Sequence, residues 1–391
     1  MPLPFKLVSA DSHVVEPPDL WAERIDRRFA DRAPTIVKGE KTDYFVVDRA
    51  APGASIEPGG GIGLLATKRK YQDPENCEYG HRGRWEDIPE SSYDPGHRLN
   101  ELDAERIEAE LLYPTLGLTM YDIGDRDYRD ACFRAYNHWI VDYCRTAPGR
   151  LFGIAMLPTD EIGRDVAELE RCARAGLRGA MISISQQTGK SYGDPAFDPL
   201  WAAAADLRMP LSLHVAASET GFSVTGNMFA DFSCGFGPTM YTVVAMIFAG
   251  VFDRHPGLKV LSVENDASWP LAVLERMDDR WTHDRKWARG AGLSSGRMPS
   301  QVFRDQVACT FMRDRTAILS REIIGKSNIM WGSDFPHFDG AWPNSAAILE
   351  KQFTGVPLAD QIMIGRQNAI DFYGLPLGKP NQAGLAASCS A

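Results

Sequence analysis

The chain has 391 residues, enough for two average domains or for one large barrel with insertions. Lys and Arg number 42 against 52 Asp and Glu, a net charge of −10, which excludes a protein whose main task is to neutralise nucleic-acid phosphates. With 44% hydrophobic and 24% charged residues and seven Cys lacking any C-x-x-C pair, the composition excludes a disulfide scaffold and a thiolate zinc cage, and it fits a reducing cytoplasm.

The N-terminus, MPLPFKLVSADSHV, shows no basic, apolar and small-residue leader and enters a predicted strand over 6–14. From about Phe29 to Leu102 the chain turns polar and rich in Gly and Pro, an insertion after strand one on the side where barrel enzymes build site walls. Strands follow at 109–116, 151–157, 177–184, 210–215, 258–264, 307–312 and 328–335, eight in all. Between them Asp125 opens a long helix through Ala147, stopped by Pro148-Gly149, and Asp160 opens another through Ala175, stopped by Gly176. Met240–Phe252 predicts a buried helix, interrupted by Thr242 and too short to span a bilayer, and Trp269–Trp281 an amphipathic one. Eight strand–helix units predict an α/β fold, a (β/α)8 TIM barrel over 1–374, with a doubly wound sheet as the alternative. The tail over 375–391 is small and polar.

Three of the eight His, His13, His214 and His337, lie at or just past the C-terminal ends of predicted strands one, five and eight. In a parallel barrel those ends open onto one face, so the three converge. His81, His97, His138, His255 and His283 fall in the insertion, on helices or in a turn. Carboxylates join the three at the same ends. Asp11 shares a strand face with His13, Glu16 follows three residues on, Glu264 ends strand six, and Asp334 ends strand eight. So many acids in one mouth repel one another unless a cation is present. Four carboxylates and three imidazoles point to a metal site.

DSHVVEPPDLW, LLYPTLG, LSLHVAAS, HPGLKVLSVE, WGSDFPH and GRQNAIDFYG resemble the amidohydrolase superfamily, in its branch of amidohydrolase-2 proteins and related decarboxylases. The resemblance covers most of the chain and implies a barrel with divalent metal at the strand ends. By motif position it places the first-strand acid-x-His pair on Asp11 and His13, the strand-five His on His214 and the strand-eight Asp on Asp334. The sequence departs from the decarboxylases after strand six, where their His is replaced by Glu264, and their later Glu has no counterpart beside Ala267 and Ser268. At Glu16, Glu264 and His337 it is similar to a nonheme dinuclear iron/manganese monooxygenase subset, such as the diiron monooxygenase of platensimycin and platencin biosynthesis.

Oxygen-rich donors with imidazole suit Fe(II) or Mn(II), and this donor count can hold a pair. The expectation is therefore a hydroxylase. Two divalent ions, Fe(II) or else Mn(II), activate dioxygen, with Asp334, Glu264 and His337 as catalytic groups and an external electron donor as partner. Its substrate is an apolar small molecule such as a terpenoid acid or its coenzyme A thioester. The Phe- and Met-rich stretch over 221–241 offers an apolar wall, and Lys68, Arg69 and Lys70 are cations for an anionic group. The alternative is a hydrolase or decarboxylase with Zn(II), a metal-bound hydroxide and Asp334 as base. No nucleic-acid or membrane partner is expected, and a homo-oligomer is compatible with the chain. Gly292–Gly296 matches G-x-S-x-G without the strand a nucleophile elbow needs, and Gly59, Gly60, Gly61 and Gly63 lack a dinucleotide fingerprint.

Overall fold

The computed structural model describes residues 3–48, 83–185, 190–218, 226–287, 292–338 and 340–378. The cations Lys68, Arg69 and Lys70, the glycines over 59–63, His81, and the wall residues 221–225 lie outside them, as does the tail beyond Gly378. The described residues form ten strands: β1 (Leu7–His13), β2 (Thr35–Lys38), β3 (Asp43–Val46), β4 (Ile107–Tyr113), β5 (Leu151–Met156), β6 (Gly179–Ile182), β7 (Leu211–His214), β8 (Val260–Val263), β9 (Val307–Phe311) and β10 (Ile329–Trp331). Eight of them pair in parallel in the order β1, β4, β5, β6, β7, β8, β9, β10. The eight match the predicted strands, and the fold is a (β/α)8 TIM barrel. These strands are buried along nearly their whole length, because a parallel sheet is covered on both faces.

Closure falls between the first and last strands. Just past β10, the Asp334 N–H donates to the Asp11 carbonyl at 2.9 Å and the His13 N–H to the Phe335 carbonyl at 2.6 Å. Ser9, Ser12 and Ser333 tie the seam with hydroxyl bonds of 2.8 Å, Ser12 to Ser9 and to Ser333. A Cβ on Gly332 would lie 2.5 Å from the Asp11 Cβ. Only glycine permits this approach, which brings Asp11 and Asp334 into one mouth.

The helix expected from Asp125 runs Arg126–Arg145, with the Asp125 carboxylate accepting the Tyr128 N–H at 3.2 Å. The next begins at Ile162 rather than after Asp160, whose carboxylate is drawn to Arg129, and it ends at Gly176 in the left-handed region. The helix expected over Met240–Phe252 instead runs Phe236–Phe248, with a short one at Val251–Arg254. It is buried on one side only: Val243, Met246 and Ile247 face the core while Tyr241 is exposed. The connection after β1 carries the antiparallel hairpin β2–β3 and a helix over Pro95–Ala104, neither of which is legible in its polar composition. Residues 292–296 form no elbow; the Ser294 and Ser295 N–H groups donate to Asp253. Among the described residues no helix is long and apolar enough to cross a membrane.

The helix before β4 supplies Arg98, fully buried beneath β1. Its guanidinium is bidentate on Glu110 of β4, with Nη2 at 2.9 Å from Oε2, and Nη1 donates to the His13 carbonyl at 2.8 Å. The Phe335 ring lies 4.5 Å from its charge. Removing one member of a buried pair leaves the other charge uncompensated. Arg98→Met should therefore cost about 3–5 kcal/mol in urea unfolding, and the double replacement Arg98→Met with Glu110→Leu should recover most of it.

Candidate metal centre

Each functional side chain sits where a barrel strand ends. His13 closes β1 and His214 closes β7; Glu264 follows β8, and Asp334 and His337 follow β10. Both strand-borne histidines are fully buried. His13 Nδ1 lies 2.7 Å from the Pro114 carbonyl and His214 Nδ1 lies 2.7 Å from the Val215 carbonyl. A carbonyl can only accept, so each Nδ1 carries a proton, and either ring when neutral turns a bare Nε2 inward. Those two Nε2 atoms are 3.1 Å apart.

Carboxylates surround the pair. Asp11 Oδ1 lies 3.5 Å from His13 Nε2 and 3.7 Å from His214 Nε2. Asp334 Oδ1 is 3.4 Å from His13 Nε2. Glu264 Oε2 is 3.4 Å from His214 Nε2 and 3.9 Å from His13 Nε2. Two nitrogens bound to one ion at about 2.1 Å, with an angle between about 90° and 109°, sit roughly 3.0–3.4 Å apart. The histidine spacing falls in that interval. Asp11 Oδ1, wholly buried, has no hydrogen-bond partner among the described residues, which a cation would supply. Donor atoms of His13, Glu264, Asp334 and His337 lie within 4.8 Å of one another, as do those of Asp11, His13 and His214. The residues present fit a divalent cation.

The electrostatics distinguish the two rings. Burial, with repulsion from His337, pushes His13 down to about 3, so the ring is neutral at pH 7. Burial opposes charge on His214 as well, but Asp11 and Glu264 outweigh it and hold that ring above its ordinary value. Burial would raise Asp11, yet the His13 and His214 rings facing its carboxylate at 3.5 and 3.7 Å hold it well below the usual carboxylate range. Without a cation a proton on His214 separates the two nitrogens; a cation replaces it.

Glu16 is the exception among the seven residues. Its fully buried carboxylate turns away from the donor groups: Oε2 accepts the N–H groups of Thr115 and Leu116 at 3.2 and 2.9 Å, and Oε1 accepts that of Gly117 at 2.9 Å. Burial pushes it up to about 7 against those three backbone bonds. Three residues past His13 the strand has already turned, so spacing along β1 no longer controls where the side chain points. The structure brings Glu16 into neither donor group.

His337 takes an outer place. Its Nδ1 lies 2.9 Å from Asp334 Oδ1 and its Nε2 lies 3.0 Å from Thr115 Oγ1, with its ring 4.0 Å from that of His13. Sequence reasoning missed three neighbours. Thr310, near the end of β9, accepts the Glu264 N–H at 2.9 Å and faces Asp11 Oδ2 at 3.5 Å. Tyr113 closes β4 with its ring 5.1 Å from His214 and its hydroxyl 2.8 Å from Ser212. Thr115 is the third. All three sit at or just past strand ends, the signal that located the histidines, but their hydroxyls carry no charge to mark them. Positive φ at Ala216, Glu264, Asp266 and Asp334 gathers four strained non-glycine residues around the same mouth, each at a cost of about 1–3 kcal/mol.

The apolar wall is partly present. The helix Met228–Cys234, capped by Asn227, carries Phe232 to 6.1 Å from Phe338, the neighbour of His337, and Phe229 is 80% exposed. Of the histidines set aside, His97 and His283 pair with acids on the surface, His255 pairs with Asp198, and His138 is exposed on its helix.

Gamma-resorcylate decarboxylase of Rhodococcus jostii (strain RHA1) is 25% identical over 302 residues, covering 71% of this chain and 87% of that protein. The crystal structure of an amidohydrolase from Mycobacterium avium subsp. paratuberculosis K-10 matches with a TM-score of 0.73 at 23% identity, over 95% of this chain and 99% of that one. A 5-carboxyvanillate decarboxylase from Novosphingobium aromaticivorans DSM 12444, solved with manganese and 4-hydroxy-3-methoxy-5-nitrobenzoic acid, matches with a TM-score of 0.66 at 17% identity, over 95% and 96% of the two chains. The structural likenesses establish the barrel. The relatives matched by sequence include gamma-resorcylate decarboxylase and 2-amino-3-carboxymuconate-6-semialdehyde decarboxylase, which overturns the expected dinuclear oxygen-activating hydroxylase. A model of the amidohydrolase family matches residues 93–375, well over half of the sequence, and the chain belongs to that family.

Proposed function

We propose that this chain is a manganese-dependent, nonoxidative decarboxylase of a hydroxylated aromatic acid, with one ion per chain. The observation that carries the proposal is the convergence of His13 Nε2 and His214 Nε2, 3.1 Å apart, with Asp11 and Asp334, in a chain similar to an aromatic-acid decarboxylase over most of its length. His13 belongs to both donor groups, but its Nδ1 is committed to Pro114. Its one remaining nitrogen serves one ion, which favours a single centre over the pair that the donor count suggested. Asp11, His13, His214 and Asp334 would hold that ion, with Glu264 beside His214. Three carboxylates and two neutral imidazoles suit a hard divalent ion better than zinc.

A bound divalent cation would anchor and polarise the oxygens of the acid. The reaction exchanges carbon dioxide for a proton: the ring-to-carboxylate bond breaks, and the ring carbon gains hydrogen. The chain must therefore bring a proton to a dry site. Asp334 is fully buried, and His337, 14% exposed, touches it at 2.9 Å, so His337 connects the buried carboxylate to the outside. Glu264 stands where the resembling decarboxylases carry His and adds a negative charge, which leaves proton handling to Asp334 and His337. Phe232 and Phe338 supply an aromatic edge next to them.

Manganese-loaded protein supplied with 2,6-dihydroxybenzoate and 5-carboxyvanillate should release carbon dioxide without oxygen, and in deuterated water place one deuterium on the vacated ring carbon. Absence of carbon dioxide from a panel of ortho-hydroxybenzoates, together with hydrolysis of esters or amides, would overturn the reading in favour of a hydrolase. His337→Gln should lower kcat by about 10²–10⁴-fold with metal content unchanged.

Metal removal supplies a separate check. At about 100 times its Kd a ligand specific to the folded state adds about 2.7 kcal/mol of stability, so chelation should lower Tm and His214→Ala should abolish the difference. Metal analysis should find about one ion per chain; two would refute the single-centre assignment.

A further inference from the structure

Four consecutive residues at the exit of β4, Pro114 to Gly117, touch two separate histidines and one buried carboxylate. The Pro114 carbonyl sets the tautomer of His13 at 2.7 Å. The Thr115 hydroxyl meets His337 Nε2 at 3.0 Å. The N–H groups of Thr115, Leu116 and Gly117 all donate to Glu16, on the loop leaving β1. The turn is tightly seated. A Cβ on Gly117 would lie 2.8 Å from Met156 Sδ, 2.9 Å from Pro114 Cβ and 3.1 Å from Glu16 Oε1. Glu16 belongs to neither donor group, yet its carboxylate is wholly buried at the edge of the site. A buried carboxylate spent on three backbone donors holds a backbone in place.

We propose that Glu16 and Thr115 are positioning residues for His337. Glu16 clamps the 115–117 turn, and the turn presents the Thr115 hydroxyl as a donor to His337 Nε2. Asp334 Oδ1, 2.9 Å from Nδ1, belongs to a carboxylate that accepts and has no proton to donate, so the neutral His337 ring carries its proton on Nδ1 and turns Nε2 to the Thr115 hydroxyl. The two contacts, one from each side, leave the ring a single tautomer and a single orientation, with its proton aimed at Asp334. The ring then lies over His13, centroids 4.0 Å apart, and His13 is oriented by the same segment through Pro114. One backbone turn thus sets both a ligand and the group that connects Asp334 to the outside. Gln at position 16 cannot serve the turn equally, because its amide nitrogen would face backbone N–H groups with another donor.

The proposal rests on the role given to His337 above, and its primary readout needs no turnover. Nitrogen-15 ring shifts of His337, assigned by loss of the signal in His337→Gln, are to be recorded on histidine-labelled protein loaded with diamagnetic zinc. The wild type should show a protonated Nδ1 and a hydrogen-bonded, unprotonated Nε2. Thr115→Val, which keeps shape and removes the hydroxyl, should move the Nε2 signal and broaden the tautomer population, and Thr115→Ser should restore the wild-type pattern. Glu16→Gln should reproduce the Thr115→Val spectrum with metal content unchanged. In whatever reaction the protein catalyses, Thr115→Val should lower kcat about tenfold with KM within twofold, and Thr115→Ser should recover it. A wild-type His337 spectrum in Thr115→Val, or a loss that Thr115→Ser does not rescue, would overturn the proposal. If Thr115→Val does not fold, Thr115→Ala carries the same spectral test. A failure of the decarboxylase assay alone would leave the ring spectra, and so this proposal, standing or falling on their own result.

Discussion

Two imidazole nitrogens face each other at 3.1 Å in a place without water-exposed surface, each with its proton committed to a carbonyl on the opposite side of the ring. Bare lone pairs at that separation repel, and the low dielectric of a buried site magnifies the repulsion. Something positive has to stand between them. Much of the site can be understood as the consequence: Asp11, Asp334 and Glu264 bring negative charge to the same point, which would itself be untenable in a dry mouth without the cation that the histidines require. The two unfavourable sets, lone pairs and carboxylates, are compatible only around a shared positive charge.

That convergence depends on how the barrel closes. β1 and β10 are at opposite ends of the chain, and the contact between them carries Asp11, His13, Asp334 and His337. Gly332 allows the strands to approach, the three serines satisfy the polar groups along the seam, and Arg98 braces the His13 carbonyl from beneath. The backbone around the mouth is held in conformations that non-glycine residues avoid, at Ala216, Glu264 and Asp334. Local strain of this kind persists where surrounding packing over-determines it, as closely packed barrel strands do.

The barrel alone does not select a reaction. Glu264 illustrates why. As a residue type it suits a carboxylate-rich pair of redox metals, and on that chemistry alone an oxygenase is a coherent reading. In the folded chain it stands 3.4 Å from His214 and 3.9 Å from His13, around the point where the other donors already meet. Glu16, the acid that would have enlarged the set toward two ions, is occupied by the 115–117 turn. The donor inventory is thus smaller than the count of acids at strand ends.

The sequence by itself determined the barrel and six of the seven clustered residues. Strand ends in a parallel barrel share one face, so Asp11, His13, His214, Glu264, Asp334 and His337 are brought together by topology, whatever the details of packing. The helix opened by Asp125 and the stop at Gly176 were legible because caps and left-handed glycines are local. What the tertiary structure decided is everything that depends on where a side chain turns once its strand has ended. Glu16 lies only three residues past His13, but the chain there follows the loop rather than the pleat, and its carboxylate is captured by N–H groups about a hundred residues away. Thr115, Thr310 and Tyr113 enter the site through neutral hydroxyls and a ring, which no charge pattern marks. The hairpin β2–β3 forms within a segment whose composition is that of a loop. Periodicity and caps act over a few residues, whereas the partners of Glu16 and Thr115 are fixed only when β1, β4 and β10 are side by side.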